Sequence, residues 1–145
     1  MKKILFIFIA CLSVNNFAQS DPKELISTFF TTYEKNPGKA VKDLYATNPW
    51  TKSIEQAIEK IVDNVNDFTI ELMGEYHGYE HINSKNLADV YVVYSYLIKY
   101  DRQPVRFIFH FYKPNHKWMI YSFSVDDDLD EEMEETAKLN HLDFK

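Results

Sequence analysis

A chain of 145 residues, 46% hydrophobic and 16% aromatic, is long enough to form one domain with a real hydrophobic core. It contains only 3 glycines, which argues against the glycine-rich loops that bind phosphate groups. The formal net charge of −6 argues against nucleic acid as a partner, because phosphate backbones are bound by basic surfaces.

The first 20 residues have the pattern of a signal peptide. Lys2 and Lys3 form a basic start, residues 4–14 form an apolar run too short to span a bilayer, and Ala18-Gln19-Ser20 has small residues suited to a cleavage site. We expect residues 1–20 to be removed and residues 21–145 to form a single exported domain, periplasmic or secreted. A cytosolic N-terminal helix is the alternative. After cleavage the chain would have no cysteine and no membrane segment, so that its stability would rest on the core alone.

Helical patterns fill the first part of this domain. Asp21-Pro22 has an N-cap residue followed by proline at the first helical position, and Asn36-Pro37-Gly38 ends the helix. A short second helix is predicted over residues 39–46. A third helix is predicted from a capping box at residues 53–56 to a stop at residues 64–67. All three carry an apolar stripe at helical spacing.

Strand patterns follow the helices. Residues 68–73 predict a strand that continues, bent or bulged at Gly74 and Gly78, until residues 83–86 turn the chain. Three runs of β-branched and aromatic residues, separated by short polar turns, predict three further antiparallel strands. These runs are residues 91–98, 105–112 and 118–125.

The predicted strands have two apolar faces. Alternation in the run 105–112 places Phe107, Phe109 and Phe111 on one face, and Arg106, Ile108, His110 and Tyr112 on the other. In the last strand, alternation places Ile120 and Phe123 on opposite faces. Because neither face is cleanly polar, we expect the second face to be covered by helices, a partner subunit or a ligand. The alternative is that its tyrosine and histidine side chains tolerate solvent.

The order of helices, then strands, then a short C-terminal helix predicts an α+β fold, with helices on one face of a curved antiparallel sheet of about four strands. The late strands read Arg106-Phe107-x-Phe-x-Phe111-Tyr112-Lys113, and Trp118 follows in the final strand. With these features the whole of residues 21–145 resembles the NTF2-like superfamily, the SnoaL-like or cystatin-like α+β cone. The resemblance implies a pocket between the helices and the concave sheet, and a homodimer formed through the sheet. The family includes isomerases and dehydratases as well as transport factors, but no acid–base motif of its enzymes is matched here.

The densest cluster of reactive groups is His77-Gly-Tyr-Glu80-His81. On a regular strand His77 and His81 share a face and Glu80 lies opposite. A bulge at Gly78 would allow all three to converge on a divalent metal ion, or to act as acid and base. A solvated strand end is the alternative.

The acidic run from residue 126 to residue 135 begins like an EF-hand loop, with Asp126, Asp128 and Asp130 as candidate metal ligands. Glu131 stands where such a loop requires glycine, so a helix N-terminus is the better interpretation. Loose cation binding by the run is the alternative. The apolar stripe of the predicted C-terminal helix is Leu129, Met133 and Ala137.

Candidate ligand contacts are aromatic side chains with a polar tip, which suit a ligand cavity. They are Tyr33, Trp50, Tyr76, Tyr91 and Tyr94. Packing in the core is the alternative role for each of them. Arg106 is a candidate anion anchor, or one member of a structural ion pair.

From these patterns we expect an exported, non-enzymatic module that binds a small apolar or aromatic ligand or a protein partner, as a homodimer and without a cofactor. The alternative is a small cofactor-free lyase or isomerase with His77, Glu80 or His110 as its base. An imidazole or carboxylate that points into a cavity and is hydrogen-bonded to an orienting group would favour the enzyme. A filled or purely apolar cavity would favour binding.

Overall fold

The computed structural model describes residues 21–126 and Leu129, and it confirms the α+β class. The helices are α1 (Pro22–Tyr33), α2 (Pro37–Tyr45), α3 (Glu55–Asn66) and the single turn α4 (Ile70–Met73), with a 3₁₀ turn at Thr51–Ile54. The strands are β1 (Tyr76–Leu87), β2 (Tyr91–Tyr100), β3 (Val105–Tyr112) and β4 (Met119–Asp126). They form one antiparallel sheet in the order β1-β2-β3-β4. In the part of the chain that is described, none of the helices is both long enough and apolar enough to cross a membrane.

Side-chain caps fix where the first two helices begin. The Asp21 carboxylate accepts a hydrogen bond of 2.9 Å from the amide of Lys23, as the N-cap prediction requires. The side-chain oxygen of Asn36 accepts one of 3.0 Å from the amide of Lys39. Because Asn36 caps α2, with Pro37 at its first position, this helix begins two residues earlier than predicted.

The capping box predicted at residues 53–56 is wrong. The hydroxyl of Ser53 donates to the carbonyl oxygen of Trp50 at 3.2 Å, and Ile54 occupies the N-cap position of α3 without a side-chain cap. The chain enters α3 through the 3₁₀ turn instead. The local backbone bond of Ser53 competes with the cap that its spacing suggests.

The strand predicted over residues 68–73 is also wrong, since this segment contains the helical turn α4. The amide of Met73 donates to the carbonyl of Thr69 at 2.8 Å, and the amide of Gly74 to that of Ile70 at 2.9 Å. Gly74 ends the turn with φ of +80°. Ile70 and Leu72 are exposed, so their alternation with polar residues does not mark a buried strand face.

The turn predicted at residues 83–86 is a third error, because β1 continues to Leu87. The chain turns at residues 88–90, where Ala88 and Asp89 have φ of 51° and 52°. Positive φ at successive residues suits a tight hairpin turn. Residues 80–87 are exposed, and a solvated edge strand carries the same polar residues as a turn. The predicted irregularity at Gly78 is confirmed by a register shift between Tyr76 and Tyr79.

The core lies between the helices and one face of the sheet. Phe107, Phe109 and Phe111 have 0% exposure, which confirms that the three share one face of β3 and shows that this face is the buried one. The prediction that Ile120 and Phe123 lie on opposite faces is wrong, since both are buried. A bulge in the β3–β4 pairing pairs Phe111 with Ile120 and Phe109 with Phe123. The extra residue of this bulge falls on β4 and shifts the alternation.

The opposite face of the sheet is only partly shielded. Ile108 and His110 are half-buried there, whereas Tyr112 is exposed and Tyr121 is 61% exposed. The cover expected over this face stays a prediction. Apart from Leu129, the predicted C-terminal helix lies outside the described residues.

Candidate functional site

The space between α1 and the sheet is filled by aromatic rings. The ring centroid of Phe29 lies 5.1 Å from that of Phe109 and 5.3 Å from that of Phe123. Phe30 packs against Phe109 and Tyr96 at 5.8 Å and 5.4 Å. Edge-to-face packing of this kind stabilises a core and leaves its interior occupied. The space between α1 and the sheet is therefore occupied by side chains, and open clefts lie at the margin of the helix layer.

Two open clefts of similar volume lie at the margins of the helix layer. One, of about 390 Å³, lies between α2, the 3₁₀ turn and the start of α3, where Tyr45 and Ile58 line it. The other lies between the C-terminal half of α1 and the start of β1, and its wall is aromatic. We call it the α1–β1 cleft. Its volume of about 380 Å³ is in the range of small-molecule sites. It is lined by Phe30, Thr31 and Glu34 from α1 and by Tyr76, His77, Gly78 and Tyr79 from β1. The bulge at Gly78 allows consecutive β1 residues to face the same helix.

Stacked aromatic rings form one wall of the α1–β1 cleft. The rings of Phe30 and Tyr79 are stacked, with centroids 3.6 Å apart and planes 11° from parallel. The ring of Tyr76 packs against Tyr33 and Tyr100, each at 5.8 Å, and the hydroxyls of these two tyrosines are 2.7 Å apart. Tyr33 is buried, so it backs the cleft wall and does not line it.

The phenols of Tyr33 and Tyr76 keep their protons at neutral pH. Burial, then the neighbouring Tyr100, raises the pKa of Tyr33 far above its ordinary value. Burial, followed by the charges of Tyr100, Tyr79 and Glu34, raises the pKa of Tyr76. The wall therefore presents neutral rings with hydroxyls that donate or accept hydrogen bonds.

His77 is held at the mouth of the α1–β1 cleft by Asp101. Its Nε2 lies 2.6 Å from Oδ1 of Asp101, whose Oδ2 accepts a hydrogen bond of 2.7 Å from the amide of Glu75. The hydrogen bond from His77, then that from Glu75, lowers the pKa of Asp101, so its carboxylate is ionised at neutral pH and acts as acceptor. Nε2 of His77 therefore carries a proton and donates the hydrogen bond to Asp101, and Nδ1 takes no part in this contact.

Neither Asp101 nor Glu34 is predicted from the sequence to be a site residue. The sequence pattern places Asp101 in a turn and Glu34 at the end of a helix. The signal that identifies Asp101 is the strand register. This antiparallel register pairs Tyr76 with Tyr100, so that Asp101 lies opposite Glu75, two residues before His77.

The other members of the predicted cluster at residues 77–81 do not converge on His77. Glu80 accepts a hydrogen bond of 2.8 Å from Nζ of Lys99, and this contact lowers its pKa. The ring of His81 packs against Tyr96, with centroids 5.2 Å apart. Among residues 21–126 and Leu129, no group of three or more histidine, cysteine, aspartate or glutamate side chains is placed to hold a metal ion.

His110 belongs to the opposite face of the sheet. Its Nδ1 lies 2.6 Å from the hydroxyl of Tyr91, and burial lowers the pKa of its imidazole. On the same face Arg106 forms an ion pair with Asp126. Asp128 and Asp130 lie outside the described residues. The structure thus separates His110, Tyr91 and Arg106 from the α1–β1 cleft by the thickness of the sheet.

Two remaining candidates are also remote from the α1–β1 cleft. Trp50 is 77% exposed in the turn before α3, and Tyr94 is buried on β2. The ring of Tyr94 packs against Phe111, with centroids 6.5 Å apart, so its described role is in the core.

The described residues form an α+β domain in which helices cover one face of an antiparallel four-stranded meander. The α1–β1 cleft lies at the margin of the helix layer. Comparison of the chain with protein-family models, with characterised proteins and with solved structures found no match. Membership of the NTF2-like superfamily stays a prediction from the sequence.

Proposed function

We propose that this chain is an exported, non-enzymatic binding module that holds a small aromatic molecule in the α1–β1 cleft. The observation that carries the proposal is the position of this cleft. It opens about 380 Å³ of space beside the stacked rings of Phe30 and Tyr79, whereas the interior of the fold is filled. Tyr79 is partly exposed, so that a ligand ring has an aromatic surface on which to stack.

The polar groups of the α1–β1 cleft support a ligand with at least one polar substituent. Glu34 supplies carboxylate acceptors, and the Tyr76 hydroxyl and the His77 imidazole supply further hydrogen-bonding groups. A few polar groups among aromatic rings is the usual composition of a specific small-molecule site.

One contact favours the catalytic alternative, a cofactor-free lyase or isomerase. The hydrogen bond from His77 to Asp101 orients an imidazole in the way that a general base requires. Nδ1 of His77 would take the proton from the substrate. The other candidate bases, Glu80 and His110, do not line the α1–β1 cleft. His77 is half exposed to water, which supports binding over proton abstraction in a sheltered site.

The rest of the proposal depends on sequence patterns. The signal peptide over residues 1–20 supports export, and the acidic run from residue 126 supports a C-terminal helix. The resemblance to the NTF2-like cone supports a homodimer.

The binding proposal is tested by mass spectrometry of small molecules that the protein retains after native purification from its host. The blocking variant is Thr31→Trp, which places a large side chain at an exposed position in the α1–β1 cleft. The control is Lys23→Trp, the same residue at an exposed position two turns earlier on α1.

We expect wild type and Lys23→Trp to retain an aromatic compound, and Thr31→Trp to retain about tenfold less of it. Equal retention by all three proteins would place the ligand elsewhere. A compound that wild type converts to a product, and that His77→Gln leaves unchanged, would establish the catalytic alternative.

A further inference from the structure

We infer that the α1–β1 cleft selects an aromatic amine, bound with its ammonium group beside the carboxylate of Glu34. The inference rests on the proposed function and adds the charge of the ligand to it. It follows from the charges and dipoles that surround the cleft.

The end of α1 makes the α1–β1 cleft negative. The helix ends at Tyr33 with Glu34 as its C-cap residue. The C-terminal end of a helix carries a partial negative charge, because its last carbonyl groups have no partners within the helix. The Glu34 carboxylate adds a full negative charge at the same place.

Among the described residues, the Glu34 carboxylate forms no ion pair within 4.0 Å. The described residues that line the cleft include neither lysine nor arginine. The field of Glu34 extends across the cleft, since its charge contributes to the raised pKa of Tyr76, after burial, Tyr100 and Tyr79. A bound cation would give this carboxylate a positive partner.

The aromatic wall also favours a cation. The faces of tyrosine and phenylalanine rings attract ammonium groups, and Tyr76 and Tyr79 present such rings beside Glu34. An ammonium group donates three hydrogen bonds and accepts none, so it matches the Glu34 carboxylate and the Tyr76 hydroxyl as acceptors. An aromatic carboxylate would be repelled by Glu34.

The test is calorimetric titration of the full chain with benzylamine, benzyl alcohol and benzoate, which share a ring and differ in charge. At pH 7.5 and low salt we expect benzylamine to bind about tenfold more tightly than benzyl alcohol, and benzoate to bind most weakly. Glu34→Gln should reduce benzylamine to the affinity of benzyl alcohol. The matched control is Glu24→Gln, which removes the same charge from the first turn of α1 and should keep the preference.

Equal affinities for benzylamine and benzyl alcohol would overturn the inference and leave the aromatic site standing. The inference would fail in the same way if Glu24→Gln abolished the preference as fully as Glu34→Gln. Absence of binding by all three probes would reject the aromatic site itself, and the inference with it.

Discussion

Asp101 is the residue that orders the mouth of the α1–β1 cleft. One carboxylate oxygen accepts from the His77 imidazole and the other from the Glu75 amide. These contacts join the turn after β2 to the start of β1. They engage Nε2 of His77 and so leave Nδ1 as the ring nitrogen for contact with a ligand.

These contacts predict how Asp101 titrates. Hydrogen bonds from His77 and Glu75 favour the charged carboxylate, so the pKa of Asp101 lies below its ordinary value of 3.8. A lowered pKa in the folded state stabilises that state at pH values above the unfolded pKa, and this contribution is lost as pH falls through the folded pKa. In a ¹³C NMR titration we expect His77→Ala to raise the pKa of Asp101 toward its ordinary value. An unchanged pKa in that variant would show that His77 does not hold the carboxylate.

At the scale of elements, the junction between α4 and β1 depends on glycine at position 74. A Cβ atom at Gly74 would lie 2.4 Å from Cβ and 2.6 Å from Oδ2 of Asp101, whereas a Cβ at Gly78 would have no atom within 4 Å. Both glycines have positive φ, +80° and +91°, so alanine at either position adds strain on the order of 1–3 kcal/mol. Only Gly74→Ala would also displace Asp101.

Urea unfolding separates the two contributions. We expect Gly74→Ala to lower the free energy of unfolding by at least about 1 kcal/mol more than Gly78→Ala does. Gly78→Ala is the control because it carries the backbone strain without the contact. Equal losses in the two variants would mean that the close approach of Asp101 to Gly74 has no energetic consequence.

Elements with strong local signals are predictable from the sequence. The cap at Asp21 marks the start of α1, and the alternation of Phe107, Phe109 and Phe111 places the three on one face of β3. Residues 70–73 resemble a strand because a helical turn of 4 residues is too short to show its own period. Residues 83–86 resemble a turn because this part of the exposed edge strand β1 has the polar composition that is typical of a turn.

The α1–β1 cleft is only partly predictable. Tyr76 and His77 are candidates because of their chemistry, and both line the cleft. Glu34 and Asp101 are not predictable as site residues. Glu34 reaches the cleft because of the way α1 packs on the sheet, and Asp101 because of the β1–β2 register. The periodicity of one segment determines neither this packing nor this register.

At the scale of the whole molecule, the filling of the core decides where a ligand has room. The rings of Phe29 and Phe30 pack on the inner face of the sheet, where the expected cone-shaped fold would have its ligand pocket. Helical spacing predicts that these residues lie on the apolar face of α1. It does not determine whether their rings fill the space above the sheet or border a cavity. Packing of α1 against β3 and β4 fills this face, so open space lies at the margins of the helix layer, and the α1–β1 cleft is the margin with a stacked aromatic wall.

The most direct test of this account is a ¹H–¹⁵N NMR titration of the full chain with indole, a neutral aromatic probe. The account predicts that the largest amide shifts fall in residues 30–34 and 76–79, and that Thr31→Trp abolishes them. Largest shifts on the opposite face of the sheet, around Tyr91 and His110, would contradict it. So would largest shifts in the groove between α1 and α2 that Thr28 and Leu44 line.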